Sequence, residues 1–101
     1  MANEAYQGSI IVHPTGVIPW AVTSIADLNL DTLAPVLALA GKVDVCLFGC
    51  GARLQPLPLA LRTALKTAGI PSDPMDTGAA CRTYNVLAGE GRAVAAALIA
   101  V

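Results

Sequence analysis

Aromatic side chains are few in this sequence: one Phe, one Trp and two Tyr make up 4% of 101 residues. Trp20, standing alone, therefore reads as a packing residue and not as part of a stacking surface. Charge is sparse too, at 13%, and balanced: six Lys+Arg against seven Asp+Glu leave a net charge of −1. A nucleic-acid binder needs clustered basic charge, so no nucleic acid is expected as a partner. There are three cysteines, Cys46, Cys50 and Cys81, and a single histidine, His13. The count is odd and no pair has zinc-knuckle spacing, which argues against a disulfide framework or a metal site. No cofactor is expected. Free thiols suit a reducing compartment, so the expected location is cytoplasmic. Long apolar runs are missing: Ala93–Val101 is the longest uncharged one, roughly half the span a membrane helix needs. Direct membrane insertion is not expected. Met1–Gly8 is polar, and the apolar stretch after it is broken by His13 and Pro14, so no signal peptide is expected either.

What is present is apolar. At 55% hydrophobic residues, much of it alanine, the chain can bury a core, which excludes disorder. Its length fits a single domain over residues 1–101.

The pattern along the chain alternates strands and helices. Ser9–His13 predicts a strand, Pro14-Thr15-Gly16 a turn, and Val17–Val22 a returning strand. Pro19 lacks an N–H donor and sends that second strand to an edge. Asp31 is the expected cap of a helix running to about Ala40, with Gly41 as its stop and Pro35 tolerated only near its start. Val43–Phe48, closed by Gly49-Cys50-Gly51, reads as a strand buried on both faces. Pro58–Ala68 is the clearest helix, with Leu61, Leu65 and Ala68 on one stripe and Gly69 as the stop. Ile70–Asp76 holds Pro71 and Pro74 and is extended. Thr77 is the expected cap of a helix from Gly78 to about Ala88, and Arg92–Val101 a last buried strand. Such an order is an α/β pattern with a right-handed βαβ unit at its centre. Gly49-Cys50-Gly51 and Thr77-Gly78 then share the carboxyl ends of parallel strands, where open sheets place ligand crevices.

Candidate chemistry gathers there. Gly49, Cys50 and Gly51 form a G-x-G loop without the third glycine of a dinucleotide fingerprint; its plainer role is a sharp turn off the sheet. Thr77, Gly78 and Arg82 open a helix whose unpaired N–H groups suit an anion, and Arg82 can add a bidentate contact. The competing reading makes Thr77 an ordinary cap and pairs Arg82 with Asp76 or Glu90. Cys81, placed in the first turn, is a candidate thiolate, with Cys50 as its redox partner across the same sheet end. Burial is the commoner fate of such cysteines, and Cys46, mid-strand, is assigned to the core. His13 is read as a solvated residue beside a turn, and Glu90-Gly91-Arg92 as a helix-to-strand turn. Asp73 and Asp76 point to opposite faces of an extended stretch, so no acid/base pair and no catalytic residue is assigned.

The run Met75-Asp76-Thr77-Gly78-Ala79-Ala80-Cys81-Arg82-Thr83-Tyr84-Asn85-Val86-Leu87, then Glu90-Gly91-Arg92 and Val94-Ala95-Ala96-Ala97-Leu98-Ile99, carries a resemblance. With the G-x-G loop and the early Gly8-Ser9-Ile10 strand, it resembles the family called domain of unknown function 498. That family includes mitochondrial complex I assembly factor 3 and small bacterial and archaeal proteins. Its loop usually reads Gly-Thr-Gly; here Cys50 replaces the threonine. Members usually carry a further stretch before the first strand, so an edge element is expected to be trimmed.

The resemblance implies a three-layer β+α/β/α fold with a central mixed sheet and the C-terminal strand antiparallel within it. It also implies protein partners and no established enzymatic activity. The first reading is thus a non-enzymatic binding or assembly protein. The alternative is an enzyme or small-molecule binder acting on an anionic metabolite at the crevice. A second copy of the chain is a further admissible partner.

Overall fold

Five residues, Val94-Ala95-Ala96-Ala97-Leu98, set the centre of the molecule, because a strand apolar on both faces must be covered on both. In the computed structural model, which describes residues 8–14, 16–20 and 22–100, the strands are β1 (Ser9–His13), β2 (Gly16–Trp20), β3 (Val45–Gly49), β4 (Ser72–Met75) and β5 (Val94–Leu98). The helices are α1 (Leu30–Leu37), α2 (Leu59–Thr67) and α3 (Thr77–Gly89), with a 3-10 turn at Ile25–Asp27. The sheet order is β2-β1-β5-β3-β4. β5 runs antiparallel to β1 and parallel to β3, and β4 continues the parallel half. The sheet is mixed as expected, and its change of direction falls between β1 and β5.

Period-two alternation sorts the strand residues between two layers. Ile11, Cys46, Phe48, Ala95 and Ala97 face α1 and α2, meeting Leu33, Val36, Leu61 and Leu65. Ile10, Val12, Leu47, Val94, Ala96 and Leu98 face the other way, toward Ala80 of α3. Ala95, Ala96 and Ala97 are fully buried. Their small side chains let helices approach the central strand from both sides. Trp20 joins the first layer, and its Nε1 donates to the Thr32 carbonyl at 2.8 Å, tying the hairpin to α1.

The start of α1 corrects the expected cap. Asn29, not Asp31, caps it: the Asn29 side chain accepts from Thr32 N at 2.9 Å, and Thr32 Oγ1 accepts from Asn29 N at 2.9 Å. This reciprocal box satisfies two donors at once. Asp31 falls in the first turn, where its charge suits the helix dipole. Pro35 lies inside the helix, which continues only to Leu37, short of Ala40. α2 ends as expected, with Gly69 taking φ +74° just beyond it. The second strand is Gly16–Trp20, and Val22, expected within it, is outside any strand.

Both edges of the sheet carry proline. Pro19 lies opposite Ile10 on β2. On β4, Pro71 O accepts from Cys46 N at 2.9 Å and Met75 O from Cys50 N at 2.8 Å. The backbone groups of Ser72 and Pro74 therefore face outward, and Pro74 brings no N–H to that edge.

Two measurements check this core. Native-state hydrogen exchange is expected to find the Ala95, Ala96 and Ala97 amides among the slowest; rates like those of edge strand β2 would contradict a central β5. Burial also pushes the Cys46 thiol up to about 12 from 9.0. The unfolded chain then ionises first, so this contribution is intact below pH 9.0 and is lost as pH rises toward 12. The slope is about 1.4 kcal/mol per pH unit. Urea denaturation across that range is expected to show a shallower alkaline decline in Cys46→Ala.

Candidate functional site

At the carboxyl end of β3 the chain turns off the sheet through Gly49, Cys50 and Gly51, and α3 begins beside it. Gly49 has no room for a side chain: a Cβ there would lie 2.9 Å from both Cα and Oγ1 of Thr77 and 3.0 Å from Cδ2 of Leu98. Gly51 takes φ +97°, a left-handed conformation that glycine enters without a steric penalty. Thr77 closes the junction. Its Oγ1 accepts from Gly51 N at 2.9 Å and donates to the Ile99 carbonyl at 2.7 Å. Its backbone N–H donates to Gly51 O at 2.9 Å, and Ile99 N donates to Gly49 O at 2.9 Å. Loop, helix start and the residue after β5 are thus bonded to one another, and Thr77 is buried.

This corrects the role expected of Thr77. The cap of α3 is Asp76, whose Oδ1 accepts from Ala79 N at 2.8 Å. The Thr77 hydroxyl is drawn into the sheet by Gly51 and Ile99, so the helix begins one residue earlier. The consequence for anion binding is electrostatic. Of the first N–H groups of α3, that of Thr77 serves Gly51 and that of Ala79 serves a carboxylate. An anion arriving here would meet the Asp76 charge at the end of the helix dipole that it was meant to use. Arg82 is exposed and leans back over the first turn: its Nη1 lies 3.5 Å, and Asp76 Oδ1 3.3 Å, from where a Gly78 Cβ would sit. Arg82 thus stands near Asp76, whereas Glu90 is at the opposite end of α3.

The cysteines are not brought together. Cys50 is buried on the α1/α2 side, its Sγ 3.3 Å from Gln55 O and 3.7 Å from Phe48 O. Cys81 packs on the α3 side, so the sheet separates the two thiols. Cys81 is also the fifth residue of α3 and not in its first turn. Burial pushes its thiol up, against the pull of the Arg82 guanidinium. The expected low thiolate pKa is reversed because desolvation outweighs the nearby positive charge. Cys46 lies in the core, as read from its strand. His13 is half-buried at the end of β1 with its ring beside Gly16. Among the described residues no three His, Cys, Asp or Glu side chains gather as a metal site would require.

Among the described residues, surface depressions lie away from the junction, in places where local sequence pattern assigns no site. One, of about 470 Å³, lies between α1 and α2 and is lined by Leu28, Leu30, Asp31, Pro58, Ala60 and Leu61 among others. Leu30 is 56% and Leu59 70% exposed. The signal was available: Leu59 falls off the Leu61/Leu65 stripe of α2. Another, of about 330 Å³, lies between α2 and β4.

A family model described as protein of unknown function (DUF498/DUF598) matches residues 1–99. The chain belongs to the DUF498/DUF598 family. An uncharacterised family relative from Rhodobacter capsulatus is 39% identical over 99 residues, covering 98% of this chain and 74% of that protein. NADH dehydrogenase [ubiquinone] 1 alpha subcomplex assembly factor 3 of Danio rerio is 36% identical over 92 residues. That match covers 91% of this chain and 53% of the factor, so the chain spans about half of it. A crystal structure of a protein from Bartonella henselae, described as an outer membrane protein, superposes with a TM-score of 0.90 at 42% identity. It covers 99% of this chain and 84% of that one.

Thr77→Val keeps the shape and removes the hydroxyl, leaving Gly51 N and Ile99 O without it. The expected loss is about 1–3 kcal/mol for each orphaned group, measured by urea denaturation, with Thr77→Ser losing much less. Arg82→Ala, at an exposed position, is expected to stay within about 0.5 kcal/mol of the parent.

Proposed function

We propose that the chain works by binding a partner protein, in the manner of an assembly factor, and not by catalysing a reaction. The observation that carries this reading is the recess between α1 and α2, lined by the apolar side chains of Leu28, Leu30, Pro58, Ala60 and Leu61. Leu30 and Leu59 stand in solvent at 56% and 70% exposure, on the two helices whose junction forms the depression of about 470 Å³. Leu54, 63% exposed, lies in the loop that leads into α2. Single exposed leucines are ordinary, but apolar side chains gathered on a recess are a feature of interaction sites. Fully covering one leucine is worth about 1.5–3 kcal/mol, so a partner that covers the set gains usable affinity.

Two further points support the reading. The family includes relatives named as complex I assembly factors. The residues that first suggest a ligand crevice are engaged with one another, through Thr77. We place the protein, as one domain over residues 1–101, in a reducing, cytoplasmic setting, on the strength of its free cysteines. No helix among the described residues is long and apolar enough to cross a membrane.

The test is affinity purification of the tagged protein from its own host, with mass spectrometry of what accompanies it. Wild type is expected to retain a defined protein set, and the double variant Leu30→Glu, Leu59→Glu to lose it while its urea midpoint stays unchanged. Equal retention by both would remove the recess between α1 and α2 from the account. Retention of no protein, together with saturable binding of inorganic phosphate at Arg82, would favour the anionic-ligand alternative.

A further inference from the structure

We propose that the groove between α2 and β4 receives an acidic, extended segment of a partner protein. Arg62, Lys66, Gly69, Ile70, Pro71 and Ser72 line this depression of about 330 Å³. Leu61 and Leu65 turn into the core. Arg62 and Lys66 each follow one of them in sequence, which puts both cations on one flank of α2, one turn apart and exposed. The opposite flank, with Ala60, lines the α1 depression. Like charges one turn apart work against the helix. Lys66 sits in the last turn, where a cation suits the dipole; Arg62 is a turn too early for that role.

The surroundings are matched to negative charge. Among the described residues no carboxylate lines the groove. Asp73 adjoins Ser72 in sequence but belongs to the other face of the sheet. It pairs with Leu47, which packs toward α3, while Ser72 pairs with Cys46 on the α2 side. The pleat therefore turns Ser72 toward the cations and Asp73 away from them.

The strand edge decides between a small anion and a peptide. With Pro71 O and Met75 O bonded to β3, the Ser72 N–H and carbonyl and the Pro74 carbonyl point outward from the sheet. A segment laid along β4 can bond to the Ser72 backbone. Its alternate side chains then project on the helix side of the sheet, within the groove that holds Arg62 and Lys66. Pro74 limits this pairing to the start of β4, so charge must supply much of the affinity. A free anion gains little from two solvated cations. A segment combines several such contacts with a backbone anchor. This groove shares no lining residue with the recess between α1 and α2, and neither reading needs the other.

The probe is a fluorescent peptide of alternating glutamate and threonine residues, titrated at low salt and followed by anisotropy and by amide shifts of the protein. Saturable binding is expected, with shifts concentrated at Ser72 and along residues 62–70, and weakening as salt is added. The double variant Arg62→Glu, Lys66→Glu is expected to bind at least about tenfold more weakly. The same variant is expected to acquire binding of a lysine–threonine peptide that wild type ignores, a gain that misfolding cannot produce. Leu30→Glu, on the recess between α1 and α2, is expected to bind the glutamate probe as wild type does. Three outcomes would overturn the proposal: no saturable binding, binding indifferent to the charge reversal, or displacement of the probe by free glutamate or inorganic phosphate at matched concentration.

Discussion

The hydroxyl of Thr77 holds together parts of the chain that sequence keeps far apart. It accepts from Gly51, 26 residues upstream, and donates to the carbonyl of Ile99, 22 residues downstream. Both partners are backbone groups at strand ends, where a sheet leaves donors and acceptors without ladder partners. Other features of the junction follow. Gly49 must lack a Cβ because Thr77 Cα and Oγ1 occupy that space. Gly51, with φ +97°, turns the chain so that its N–H meets the Thr77 hydroxyl and its carbonyl the Thr77 N–H. The cap of α3 passes to Asp76, because Thr77 is already committed to the sheet. A loop and helix start that have the composition of an anion site are thereby closed on each other, with a carboxylate at the helix end.

The second constraint is the alanine strand. Ala95, Ala96 and Ala97 give β5 little bulk on either face, so helices can lie close on both. α1 and α2 share one face, and α3 covers the other. Prolines at Pro19 and Pro74 then restrict pairing at both open edges. With the sheet faces covered and pairing limited to the start of β4, the surfaces left for the proposed recognition are the exposed flanks of helices and that short edge. The helix flanks are where the leucines and the two cations of α2 stand.

Much of this was legible because it is local. The apolar run of β3, the Leu61/Leu65 stripe with Gly69 after it, and the edge position of Pro19 each follow from a few neighbouring residues. The failures share a cause. At Asp76-Thr77 and at Asn29-Leu30-Asp31, two capping residue types lie close together, and local pattern cannot choose between them. Thr32 decides the second through a bond to Asn29, a spacing that the sequence does show. Gly51 and Ile99 decide the first, and nothing near Thr77 in the sequence points to them. The cysteine pairing failed differently. Cys50 and Cys81 were both placed at the correct end of the sheet, but end does not determine face. Cys46, Phe48 and Cys50 alternate onto the α1/α2 side, and Cys81 rides on the helix that covers the other side.

The position of α2 gives these surfaces a joint meaning. Its buried stripe, Leu61 and Leu65, fixes the rotation of the helix. That single rotation sets Ala60 toward α1 and Arg62 and Lys66 toward β4. The two recesses are therefore held in a fixed relation by one short helix. A partner with an apolar element and an acidic extended segment could engage both, and the second contact would then form at high effective concentration. Such an arrangement rewards a partner that matches both chemistries and their spacing. On the two proposals above, it would let a chain with only 13% charged residues discriminate through geometry where charge alone is too sparse to do so.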